Sequence, residues 1–151
     1  MTTSAIKGQI TEDMKTAMRA QDKERLATIR LILAAIKQRE VDERIELTDE
    51  HVLTILDKMQ KQRRESITQF EAASRKDLAD KEIAEMAVIQ QYLPEQMSME
   101  EIGALIDAAI KETNAAGVRD MGKVMGIIKP KIQGRADVAT VSNQVKDRLN
   151  Q

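Results

Sequence analysis

Apolar residues fall along this chain in stripes three and four positions apart, and that rhythm describes one helix face after another. Ile6, Ile10, Met14 and Met18 recur at every fourth position and predict a first helix. Leu26, Ile29, Leu33 and Ile36, widened by Ile32, predict a second, opened by Asp22, whose carboxylate can accept a first-turn N–H. The polar stretch REVDERIELTDE then leads to Thr48, a cap for a third helix, with Asp49 and Glu50 favouring its positive end. Val52, Ile55, Leu56 and Met59 begin the third seam, which thins among charges around Ile67 and Phe70 towards a break near Ser74. A further helix carries Leu78, Ile83, Met86, Ile89 and Leu93 up to Pro94, which has no N–H and disfavours helical geometry in the residue before it. A module boundary is placed there, giving residues 1–93 and 94–151.

The second module opens on Ser98 and Glu101, spaced as a capping box. Ile102, Leu105, Ile106, Ala109 and Ile110 form its first buried face, and Gly117 is expected to close that helix in the left-handed conformation. Asp120 is expected to cap the next helix, with Met121, Val124, Met125 and Ile128 inward and Pro130 near its end. Asp137 is expected to cap the last, through Val138, Val141, Val145 and Leu149. The fold class is therefore all-α: a bundle of longer helices followed by a small three-helix bundle.

Composition narrows the chemistry. Twenty-four basic residues against 25 acidic ones give a net charge of -1, so any electrostatic partner must be recognised locally. Tyr92 and Phe70 are the aromatic residues, which makes base stacking a poor mode of recognition. With no cysteine, neither disulfides, thiolate nucleophiles nor sulfur-bound zinc are available. A cytoplasmic protein without membrane-spanning or export segments is expected.

His51 is the single histidine and stands in a charged first turn, so no metal set or catalytic triad assembles around it. Gly122 and Lys123 lack the preceding glycine and following hydroxyl of a phosphate-binding loop. No cofactor, metal site or catalytic residue is expected. What remains is DMGKVMGIIKPKIQGRAD, from Asp120 to Asp137. Gly122 and Gly126 lie four apart on one face, Gly134 suits a positive φ, and Lys123, Lys129, Lys131 and Arg135 gather before the helix start at Asp137. Cations beside bare backbone and a helix N-terminus suit phosphate contacts that position an RNA without reading its bases. The same glycines would equally serve tight packing inside a small bundle.

MGKVMGIIKPKIQGRAD, preceded by YLPEQMSMEEI and DKERLATIRLILAAIKQREV, resembles the YqeY family over essentially the whole chain. From about residue 83 to 149 it also resembles the C-terminal tail of the B subunit of glutamine-dependent aspartyl/glutamyl-tRNA amidotransferases, a helical appendage that engages tRNA. The resemblance implies a tRNA-facing role for the second module, with Lys123 and Arg135 at basic motif positions and Gly122 and Gly134 at their glycines. The catalytic cradle of that subunit has no counterpart here. The expectation is a non-catalytic accessory protein that contacts tRNA or another structured RNA. Two alternatives stand beside it: an interaction module for a protein partner in a translation or amidotransferase complex, and a carbon-nitrogen ligase with glutamine as amido donor.

Overall fold

The computed structural model describes residues 4–150; residues 1–3 and 151, the outer ends of the two expected modules, lie outside the described residues. Helices account for about four-fifths of it: α1 (Ala5–Ala20), α2 (Lys23–Glu43), α3 (Asp49–Ala72), α4 (Lys76–Gln90), α5 (Met99–Thr113), α6 (Met121–Ile132) and α7 (Val138–Leu149). The all-α class is what the structure shows. Two compact units divide the chain, Met1–Pro94 and Glu95–Gln151, each with its own apolar core.

In the front unit the starts of α1 to α3 are fixed by short polar side chains. Ser4 accepts from the Lys7 N–H, Asp22 from the Arg25 N–H and Thr48 from the His51 N–H. His51 completes a capping box by accepting the Thr48 N–H on Nδ1 at 3.1 Å, which gives the single histidine a structural place. Asp49, on the first turn of α3, reaches across to α1 and accepts from the Ser4 hydroxyl and the Ile6 N–H. These bonds, led by the one from Ser4, hold the Asp49 carboxyl below the usual carboxylate range.

α1 and α2 form one helical hairpin, tied by Lys7 to Glu40, and α3 and α4 form another. In the second hairpin Arg63 lies within ion-pair distance of Glu82 (3.8 Å) and Glu85 (2.9 Å), while buried Gln60 donates to the Met86 carbonyl at 3.1 Å. Ile10, Ile29, Ile32, Ile36, Leu56 and Ile89 fill the shared core. Tyr92 closes one edge, donating from its hydroxyl to Asp13 at 2.5 Å; burial, then that bond, raises its pKa.

Several expectations change in detail. The fourfold stripe of α1 drifts about 40° per step at 3.6 residues per turn, so by Met18 it has left the core and Ala17 is buried instead. α2 continues through residues 39–43, inside the stretch taken as a connector, helped by ion pairing of Arg39 with Glu43 and a Gln38–Asp42 bond. Ile83, expected inward on α4, is exposed.

The second unit is a three-helix bundle in which α6 packs against both α5 and α7. Met99 lies beside Gln144 and Gly103 beside Arg148, so α5 and α7 run in the same direction. A Cβ at Gly103 would come within 2.8 Å of the Arg148 guanidinium, which donates to the Gly103 carbonyl and pairs with Asp107. Asn114, not Gly117, takes the left-handed position that ends α5, with φ 53; Gly117 is extended. Asn tolerates that conformation, and using it ends the helix before Gly117 is reached. A 3-10 turn, Val118–Asp120, then leads into α6.

Candidate nucleic-acid interface

On α6 the inward positions are Val124, Met125, Ile128 and Ile132, all buried against α5 and α7. At 100° per residue the opposite side of the cylinder carries Gly122, Gly126 and Pro130 in a row. All three are exposed, and a Cβ built on Gly122 or Gly126 would meet nothing within 4 Å. The glycines therefore do not serve packing within this bundle. They leave a strip of uncovered helix backbone facing outward.

The lysines flank that strip rather than converge on one point. Lys129 lies along one edge and Lys123 along the other, while Lys131 sits roughly 160° around the helix from Lys129. All three are exposed, and among the described residues none forms an ion pair. Lys123 does stand near Asp120. The carboxyl of Asp120 is held below the usual range first by the Ala116 N–H, at 2.9 Å, and then by Lys123 and Arg119. Asp120 thus closes the loop after α5 and does not cap α6 with its side chain, as had been expected.

Arg135 belongs to a different arrangement. Its Nε donates to the Glu95 carbonyl at 2.9 Å and its Nη2 to Glu101 at 3.3 Å, while its own carbonyl accepts the Met97 N–H at 2.9 Å. Gly134, buried with φ 74, makes the left-handed turn that brings Arg135 to this place. Glu101 is drawn into this link, so the expected capping box is completed on one side alone: Ser98 accepts the Glu101 N–H, and the carboxylate turns to the Ser98 hydroxyl and Arg135. At the start of α7, Asp137 makes no side-chain bond to a helix N–H and accepts instead from the Thr140 hydroxyl at 3.0 Å. That helix end carries a carboxylate of its own, which weakens it as an anion seat.

No group of three or more His, Cys, Asp or Glu side chains among the described residues is placed to hold a metal ion. A cleft of about 720 Å³ between the first turn of α2 and α4 is walled by charges of both signs, with Asp22, Lys23, Asp80 and Lys81 among them. None of the described helices is long and apolar enough to cross a membrane.

A family model described as Yqey-like protein matches residues 7–149, which takes in nearly all of α1 and every later helix. The chain belongs to the YqeY family. Similar curated YqeY relatives carry the name "Altered inheritance of mitochondria protein 41, mitochondrial". The one from Pyrenophora tritici-repentis is 36% identical over 138 residues, covering 89% of this chain and 76% of the relative. The one from Eremothecium gossypii is 42% identical over 104 residues, covering 67% and 57%. A third, from Kluyveromyces lactis, is 39% identical over 82 residues, covering 54% and 44%, so for these last two the match spans about half the relative.

These names overturn the cytoplasmic expectation, because the YqeY relatives are named as mitochondrial proteins. That expectation rested on missing cysteines and on the lack of an apolar export signal. Neither property separates one reducing compartment from another.

Proposed function

We propose that this YqeY-family chain is an RNA-docking accessory protein whose second unit holds a phosphate backbone along the outer face of α6. Lys129 contacts phosphates from one edge of the strip and Lys123 from the other, with Lys131 adding attraction from the side. Gly122 and Gly126 let the nucleic acid approach the helix closely between them. Arg135 and Gly134 act as positioning residues that hold the end of α6. The observation that carries the reading is the outward opening of both glycines between unpaired cations. The likeness of residues 83–149 to a tRNA-engaging tail supports tRNA as the first RNA to try.

The test is fluorescence anisotropy of the full chain with labelled tRNA over a salt series. Two or three phosphate contacts give a log–log salt slope of roughly −1.8 to −2.7, or about 10- to 40-fold weaker binding between 50 and 200 mM salt. Gly126→Leu, placed where nothing packs, should leave the fold intact and weaken binding by covering the strip. Undetectable association at the lowest salt, or equal binding by a Lys123→Glu/Lys129→Glu double variant, rules the proposal out.

A further inference from the structure

The outer side of α2, in the front unit, carries a pattern that its core does not explain. Ala27, Leu31, Ala34, Gln38 and Val41 follow at intervals of four, three, four and three, the spacing of a coiled-coil seam. Every one of them is exposed, with Leu31 48% and Val41 62% accessible, and Ile45, just beyond the helix end, is 40% accessible. Since Ile29, Ile32 and Ile36 already bury the inner side, this helix is apolar on two sides. A surface helix of a self-sufficient bundle needs only one.

Beside the seam runs a row of cations. Lys23, Arg30 and Lys37 recur every seventh residue along one edge, and Arg44 continues the interval at the C-cap. All are exposed, and among the described residues none makes an ion pair. Carboxylates of α2 near Lys37 and Arg44 are engaged elsewhere: Glu40 by Lys7 at 2.6 Å, Glu43 by Arg39, and Asp42 by Gln38 at 2.9 Å. The other edge of the seam offers no cation, only Thr28, Ala35 and two carboxylates, Glu24 and Asp42. Charge is therefore one-sided.

We propose that the outer face of α2 docks an acidic amphipathic helix of a partner protein, seam against seam, with carboxylates of the partner along the row of Arg30, Lys37 and Arg44. One-sided charge selects this occupant over its rivals. Antiparallel pairing of two copies would set the cationic row against itself, and parallel pairing would set its four cations against an edge with two carboxylates, Glu24 and Asp42, the second already bonded to Gln38. A helix lying in an anionic bilayer carries cations beside a broad apolar face anchored by bulky or aromatic side chains; here the seam is narrow, interrupted by Gln38 and alanines, and free of aromatics. A partner helix with leucine-like residues at its seam fills the gaps beside Ala27 and Ala34.

The probe is a pair of synthetic three-heptad helical peptides with the same apolar seam, one bearing Glu and the other Lys at both flanking positions. Titrated into the full chain, the Glu peptide should bind roughly ten-fold or more tightly than the Lys peptide. Triple reversal, Arg30→Glu/Lys37→Glu/Arg44→Glu, should invert that preference, and Val41→Asp should weaken both peptides while leaving the thermal melt of the chain unchanged. Charge-blind binding of the two peptides overturns the proposal. So does absence of peptide binding, whether or not the chain dimerises through Leu31 in sedimentation or binds anionic phospholipid vesicles. Every variant sits on exposed positions of the front unit, so loss of tRNA binding leaves this result untouched.

Discussion

Replacing Arg135 with alanine separates a structural cation from RNA-facing ones. The guanidinium bond to the Glu95 carbonyl, at 2.9 Å, is charge-assisted and in a sheltered setting would contribute about 1.5–3 kcal/mol. The Arg135 side chain is 34% accessible, so solvent screening reduces this to about 1 kcal/mol. Glu101, on a side chain 54% accessible, adds at most about 0.5 kcal/mol. Arg135→Ala should therefore destabilise the second unit by about 1–1.5 kcal/mol, or roughly 5–10 °C in the melting of a domain this small. Lys129→Ala removes a solvated side chain near a helix C-terminus and should cost no more than about 0.5 kcal/mol. Binding should respond in the opposite order. Lys129→Ala lowers the salt slope by somewhat less than one, whereas Arg135→Ala, measured well below its melting temperature, keeps the wild-type slope. Thermal melts followed by circular dichroism, paired with anisotropy at several salt concentrations, read both quantities. A variant lacking Arg135 that melts like wild type and loses a phosphate contact would show that the guanidinium faces RNA, and the structural argument would be wrong.

Gln60 gives a second prediction: its Oε1 is buried without a partner, and its amide donates to a Met86 carbonyl that lies within α4. Gln60→Met should leave stability in urea unchanged or raise it by up to about 1 kcal/mol; a clear loss would mean that the amide bonds outweigh the orphaned oxygen. Asp49 supplies a pH dependence. Because the Ser4 and Ile6 bonds depress its folded pKa, its stabilising effect is complete above the usual carboxylate range and is lost as pH falls through the lowered folded value. Between about pH 5 and pH 2 the wild type should lose more stability than Asp49→Asn, and parallel urea curves for the two would refute the linkage.

Short-range signals were the legible ones. Asp22, Thr48 and Ser98 each act within three residues of themselves, so sequence spacing alone located three helix starts. The reading failed where a tertiary partner or a slow angular drift decided the outcome. Ala17 replaces Met18 because a stripe of fours rotates away from the core, and Ile83 is left outside for want of a neighbour. At the candidate interface, sequence located the uncovered glycines and the cations, but it treated four cations as equivalent. Arg135 differs from the lysines because of Glu95 and Glu101, which lie 40 and 34 residues away and enter its surroundings only after folding. Asp120 likewise looked like a cap, and it closes the preceding loop because α5 ends at Asn114. The heptad interval along the outside of α2 was present in the letters, hidden by stronger isoleucine spacing on the inside.

The bond from Tyr92 to Asp13 gives the molecule a built-in optical probe. With one tyrosine and no tryptophan in the whole sequence, near-ultraviolet emission arises from this one ring in the front unit. A carboxylate accepting the phenolic proton quenches such emission, so separation of Tyr92 from Asp13 brightens the signal. Helicity reports on both units and fluorescence on one. Comparing the two during denaturation tells which half opens first, with no label attached.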